Sequence, residues 1–141
     1  MPSTTPRPAP APALIALLLL AAAGCGGDPD LVSAVPAAGT VNYKGKPVDR
    51  GTIRFVPDKG LPAGAPIQNG RFTMTTYNEG DGAIPGPHKV EVISFLESPG
   101  KDGGEPTQRY LVPEKYTTAE NSGLTVDVPP GGSTTLVVDI P

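Results

Sequence analysis

Short stretches of this chain alternate apolar and polar residues with a period of two. In Thr52-Ile53-Arg54-Phe55, Ile53 and Phe55 share one face while Thr52 and Arg54 share the other. The same pattern recurs at Val41 and Tyr43, at Phe72 and Met74, at Val90 and Val92, over Leu124–Val128 and over Thr135–Ile140. Successive side chains of a strand point to opposite sheet faces, so this period requires half-buried β-strands and leaves little room for helix. The stretches number about seven, at the spacing of a β-sandwich. The chain has 18 glycines and 19 prolines with no repeat period, which excludes collagen and makes them punctuation between strands.

The turns point the same way. Asn69-Gly70 lies between Gln68 and Arg71, and both turn residues tolerate positive φ, as a two-residue type I′ hairpin needs. That register sets Ile67 opposite Phe72 on the core face. Lys44-Gly45 and Pro130-Gly131-Gly132 are expected to turn further hairpins. One stretch breaks the pattern. Glu97–Ser122 hardly alternates, and a structureless connection beyond ~12–15 residues is uncommon in a compact domain. In its second half Tyr110, Leu111, Val112 and Tyr116 are expected to fold back onto the sheet with both tyrosines buried, through one helical turn at Pro113–Tyr116. Its first half, Glu97–Gln108, is expected to be a mobile, Gly-rich binding loop.

Ahead of the alternating region, residues 13–23 are apolar without interruption and run into the single cysteine, Cys25. The run is too short to span a bilayer, which takes ~20 residues, but suits the apolar core of a secretory signal peptide. Ala22-Ala23-Gly24-Cys25 resembles the lipobox of bacterial lipoproteins, with Ala22 where leucine is usual. That resemblance implies cleavage between Gly24 and Cys25 and lipidation of the Cys25 thiol. The alternative is ordinary cleavage after Ala21-Ala22-Ala23, which leaves an exposed free thiol, an unusual feature in a secreted chain. Residues 1–24 are thus expected to be a lipoprotein signal peptide, 25–37 a flexible tether with a reach of ~40 Å, and 38–141 the folded domain. Leu31, Val32 and Val35 are the tether residues able to pack on that domain instead.

The net charge is −3 and there is no basic stripe, so nucleic acid is not an expected partner. The expected partner is the membrane, through the lipid on Cys25, with an envelope protein or glycan as a further ligand.

Several stretches, in order, resemble carboxypeptidase-regulatory-like or transthyretin-like domains. Gly39–Val48 with Gly51–Pro57 is similar to their opening, Asn69–Met74 to their central hairpin, and Gly82–Val90 to the following turn and strand. Leu111–Tyr116 and Ser122–Val126 resemble the C-terminal half of short transthyretin-like lipoproteins of planctomycete bacteria. The resemblance implies an all-β, antiparallel Greek-key sandwich of prealbumin type, on an exported lipoprotein without established activity.

Candidate chemistry is sparse. His88 is the only histidine, on the face of Val90 and Val92, with no nucleophile or positioned acid identifiable beside it. It is read as a packed residue. Transthyretin-related hydroxyisourate hydrolases need several histidines and a C-terminal Tyr-Arg-Gly-Ser, whereas this chain ends Val138-Asp139-Ile140-Pro141. Asn78-Glu79-Gly80-Asp81-Gly82 could offer oxygen ligands to calcium but lacks EF-hand spacing, so it is read as an acidic turn. A Lys–Asn isopeptide bond is not expected, since the last strand offers Asp139 and no asparagine, and Lys44 and Lys46 lie at a turn. No catalytic, cofactor or metal-binding residues are therefore assigned. The expectation is a lipid-anchored structural or binding module of the cell envelope, on the outer rather than the inner membrane because Gly26, not aspartate, follows the cysteine. The alternative is a small envelope enzyme, or an accessory subunit of one, that uses the 97–122 loop.

Overall fold

The computed structural model describes residues 1–6, 8–9 and 31–141. The strands are β1 (Ala37–Tyr43), β2 (Lys46–Pro47), β3 (Arg50–Pro57), β4 (Ala63–Gln68), β5 (Arg71–Thr73), β6 (Gly86–Ile93), β7 (Phe95–Ser98), β8 (Thr107–Tyr110), β9 (Thr125–Val128) and β10 (Ser133–Ile140). The fold is all-β. The main sheet runs β10-β1-β5-β4-β3-β6-β9, with β2 added beside β1, while β7 and β8 form a separate two-stranded arm. β9 and β10 are the outermost strands of this order, yet a tight turn joins them, with the Gly132 N–H donating to the Pro129 carbonyl at 2.8 Å. The sheet therefore curls, and its concave face encloses the core.

The period-two pattern becomes packing. Phe55 pairs with Val90 and Ile53 with Val92 across β3 and β6, and all four are fully buried. Phe72 meets Phe55 edge-on, with ring centroids 5.6 Å apart. The alternate residues Arg54 and Glu91 pair on the outside and form an ion pair at 3.0 Å. At the Asn69-Gly70 turn both residues have positive φ, 51° and 74°, and Gln68 pairs with Arg71, as a type I′ hairpin requires. Lys44-Gly45 makes the same kind of turn between β1 and β2.

Four expectations need correction. The sheet is not antiparallel throughout: β1 and β10 are parallel over Gly39–Tyr43 and Leu136–Ile140. For the same reason Pro130-Gly131-Gly132 turns the chain without making a hairpin, because β9 pairs with β6 and β10 with β1. Glu97–Ser122 is also not one long loop. Its first part belongs to the β7–β8 arm, with Phe95 opposite Tyr110 and Ser98 opposite Thr107. Its second part has a 3-10 turn at Glu114–Thr117 and one helical turn, α1 (Ala119–Ser122). This second part lies against β6, where the Ala119 N–H donates to the Glu91 carboxylate at 3.2 Å. It covers the part of β6 that β9 does not reach. Val112 and Tyr116 join the core there, but Tyr110 is 39% exposed, contrary to its expected burial.

The strands share an axis, so the sheet has two ends. One carries the N-terminal approach to β1, residues 58–62, residues 75–85 and the 129–132 turn; we call it the near end. At the other, the far end, lie the Lys44-Gly45 and Asn69-Gly70 turns, the root of the arm and the C-terminus.

Candidate functional site

His88 sits near the start of β6, opposite Pro57 and Val126, and is 97% hidden from solvent. Its Nδ1 lies 2.8 Å from the Gly86 carbonyl. A carbonyl can only accept, so Nδ1 carries the proton and Nε2 is left with a bare lone pair. Nε2 is buried and has no hydrogen-bond partner. The ring packs at 5.8 Å from that of Phe55. Burial pushes the imidazole pKa below its ordinary 6.5, against upward pulls from the Gly86 carbonyl and the Asp127 carboxylate. A general base must reach its substrate. This one faces Phe55 in the core, so it is a packing residue.

The acidic turn has a structural task. One Asp81 oxygen accepts from the Thr76 N–H at 2.7 Å, and the other from the Tyr77 and Asn78 N–H groups at 2.9 and 2.8 Å. Thr75 Oγ1 accepts from the Gly80 N–H, and Thr76 Oγ1 donates to the Gly82 carbonyl, both at 2.9 Å. Partial burial raises the Asp81 pKa, but the N–H groups of Thr76, Asn78, Tyr77 and Asp81 itself outweigh it and hold the carboxyl below its ordinary 3.8. The carboxylate is spent on folding its own loop. Among the described residues no three His, Cys, Asp or Glu side chains are grouped to hold a metal ion.

This loop receives the chain that enters from the N-terminal side. Tyr77 Oη donates to the Val32 carbonyl at 2.7 Å. Val35 and Ala83 exchange both backbone hydrogen bonds, at 2.9 and 3.0 Å. Gly82 must be glycine here, since a Cβ would collide with the Val35 carbonyl and φ is 101°. Val35 packs against the core, whereas Leu31 and Val32 stay about half exposed. Sequence reasoning gave Tyr77 and Asp81 no such role. An aspartate four residues after a tyrosine in a Gly-rich turn hints at side-chain capping of backbone N–H groups, but not at what the loop holds.

Among the described residues, concave surfaces lie on the main sheet as well as at the arm, where Glu97, Ser98, Pro99 and Pro106 line one. A groove of about 630 Å³ runs along the outer face of the β4–β5 hairpin, lined by Pro66, Gln68, Arg71, Thr73, Thr75 and Glu79. A smaller one of about 220 Å³ at the far end is lined by Tyr43, Lys46, Pro47, Val48, Leu111 and Val112. Asp139 accepts from the Asn42 side-chain amide at 2.8 Å on the exposed face. The expected cleavage site at Gly24 and Cys25, the lipidated Cys25 and the apolar run 13–23 of the expected signal peptide lie outside the described residues. Among those described, no helix is long and apolar enough to cross a membrane.

Compared with family models, with curated proteins and with solved structures, the chain finds no match in any of the three.

Proposed function

We propose that this chain is an exported lipoprotein, anchored in an envelope membrane by acylated Cys25, whose domain is a structural or binding module without catalysis. The fold is read as a transthyretin-like Greek-key sandwich. The outer membrane is favoured over the inner, and an envelope protein or glycan is the expected ligand. The observation that carries this reading is the uninterrupted apolar run 13–23, followed directly by small residues and the only cysteine, a few residues before the folded domain begins. An unpaired thiol at such a junction has little structural use and a clear use as an acyl acceptor.

What supports a non-catalytic domain is how its titratable groups are used. The only imidazole faces the core, and the Asp81 carboxylate caps its own loop. The test is phase partition in Triton X-114. Full-length protein made in a lipoprotein-processing bacterium should enter the detergent phase, and Cys25→Ser should move it to the aqueous phase. Wild-type protein that stays aqueous would contradict the reading. A single acyl chain binds membranes only marginally, so stable attachment implies more than one chain on the anchor.

A further inference from the structure

We infer that the near end of the sheet docks against the lipid surface, and that the β7–β8 arm is thereby held away from the membrane. This rests on the anchor proposed at Cys25. A tether free as far as residue 37 would reach ~40 Å and let the domain tumble. The hydrogen bond from Tyr77 to Val32 and the Val35–Ala83 pair fix the chain to the near end much sooner. Between Cys25 and Val32 the reach is at most about 25 Å.

An eight-residue strand such as β3 is itself about 25 Å long. To bring the far end to the bilayer, the tether would have to run fully extended back along the sheet. Docking by the near end needs no extension.

The near end also presents the right surface. Leu31, Val32 and Leu61 are 53%, 48% and 50% exposed. Leu61 follows Gly60, whose Cα faces Ile84, and Ile84 follows the Ala83 that pairs with Val35. These apolar side chains therefore belong to one end of the molecule, the end where the tether arrives. Asp58, Glu79 and Asp81 share it with Lys59, so the end gains nothing from anionic headgroups and apolar contact carries the docking.

The chain contains no tryptophan, so one can be placed as a single reporter. Leu61→Trp marks the near end and Tyr110→Trp the arm; both sites are exposed. Each full-length acylated variant would be reconstituted into vesicles of phosphatidylethanolamine and phosphatidylglycerol, with or without a lipid brominated close to its headgroup. The expected result is strong loss of emission in Leu61→Trp, none in Tyr110→Trp, and little change of either with salt. Equal quenching of the two, or quenching of the arm alone, in protein that floats with the vesicles would overturn the orientation and leave the anchor standing. Unquenched emission from Leu61→Trp in protein that floats would also overturn it, a blue shift then meaning that a second copy covers this end and no shift that the end faces water. Failure to float with vesicles would remove the anchor and this inference together.

Discussion

The curled sheet encloses Val41, Ile53, Phe55, Met74, Val90 and Val92 at zero exposure, whereas no residue of the arm strands β7 and β8 is buried. Both regions are built of paired strands, antiparallel in the arm and mostly so in the sheet. The sheet has an inside, so each residue on its concave face removes apolar surface from water. The arm has two faces in solvent, and its main side-chain contact is the Phe95–Tyr110 ring pair at 6.1 Å. A two-stranded hairpin is marginal by itself in water. The arm depends on its root, where the Leu111 N–H donates to the Ser94 carbonyl at 2.9 Å and Ser94 Oγ donates to the Arg50 carbonyl. The domain's stability therefore resides in the sheet, and the arm is an appendage it can lose.

The sharpest way to break this contrast is to cut into the sheet core. Phe55→Ala removes a ring that touches Phe72 and His88 and should cost about 3–5 kcal/mol, read as a lower midpoint in chemical denaturation. A near-neutral result would mean that the inner face has been assigned wrongly.

The next effect is smaller and depends on pH. His88 has a folded pKa below its ordinary 6.5, so the unfolded chain binds its proton first. Stability is then complete above pH 6.5 and declines as pH falls below it. Asp81 also has a lowered pKa, but as an acid it contributes stability above 3.8 and loses it as pH falls through its folded value. Thermal melts should thus show two successive losses on acidification. His88→Phe should remove the upper one, and Asp81→Asn the lower, while also costing about 1–3 kcal/mol at neutral pH through weakened capping of three backbone N–H groups. A single loss unaffected by His88→Phe would show that the imidazole is not held neutral by burial.

The smallest effect belongs to the arm. Replacing residues 98–107 with a short Gly-Ser linker should leave the melting temperature nearly unchanged, because none of them is buried. A large drop would show that the arm supports the sheet. If envelope proteins or glycans that bind the intact protein also bind the shortened one, the arm is not their site.

The same contrast explains what could be read in the sequence. Phe55 and Phe72 were legible as core because a buried face forces alternation, and Asn69-Gly70 because a type I′ turn admits few residues. The arm strands were not legible: with neither face buried, Phe95–Ser98 and Thr107–Tyr110 have no reason to alternate. The parallel pairing of β1 with β10 was hidden for another reason. Alternation tells which face of a strand is inside, but not which neighbour it takes or in which direction. The Tyr77–Val32 contact was equally hidden, since a phenol donating to a backbone carbonyl 45 residues away leaves no local pattern.

Anchoring depends on Cys25, and the mass of the intact protein extracted from membranes tests it most directly. The expected species is a chain beginning at Cys25 with the added mass of a diacylglycerol. An unmodified chain beginning at Gly24 or at Cys25 would contradict the anchor, and with it the division of the domain into a membrane-facing end and a displayed arm.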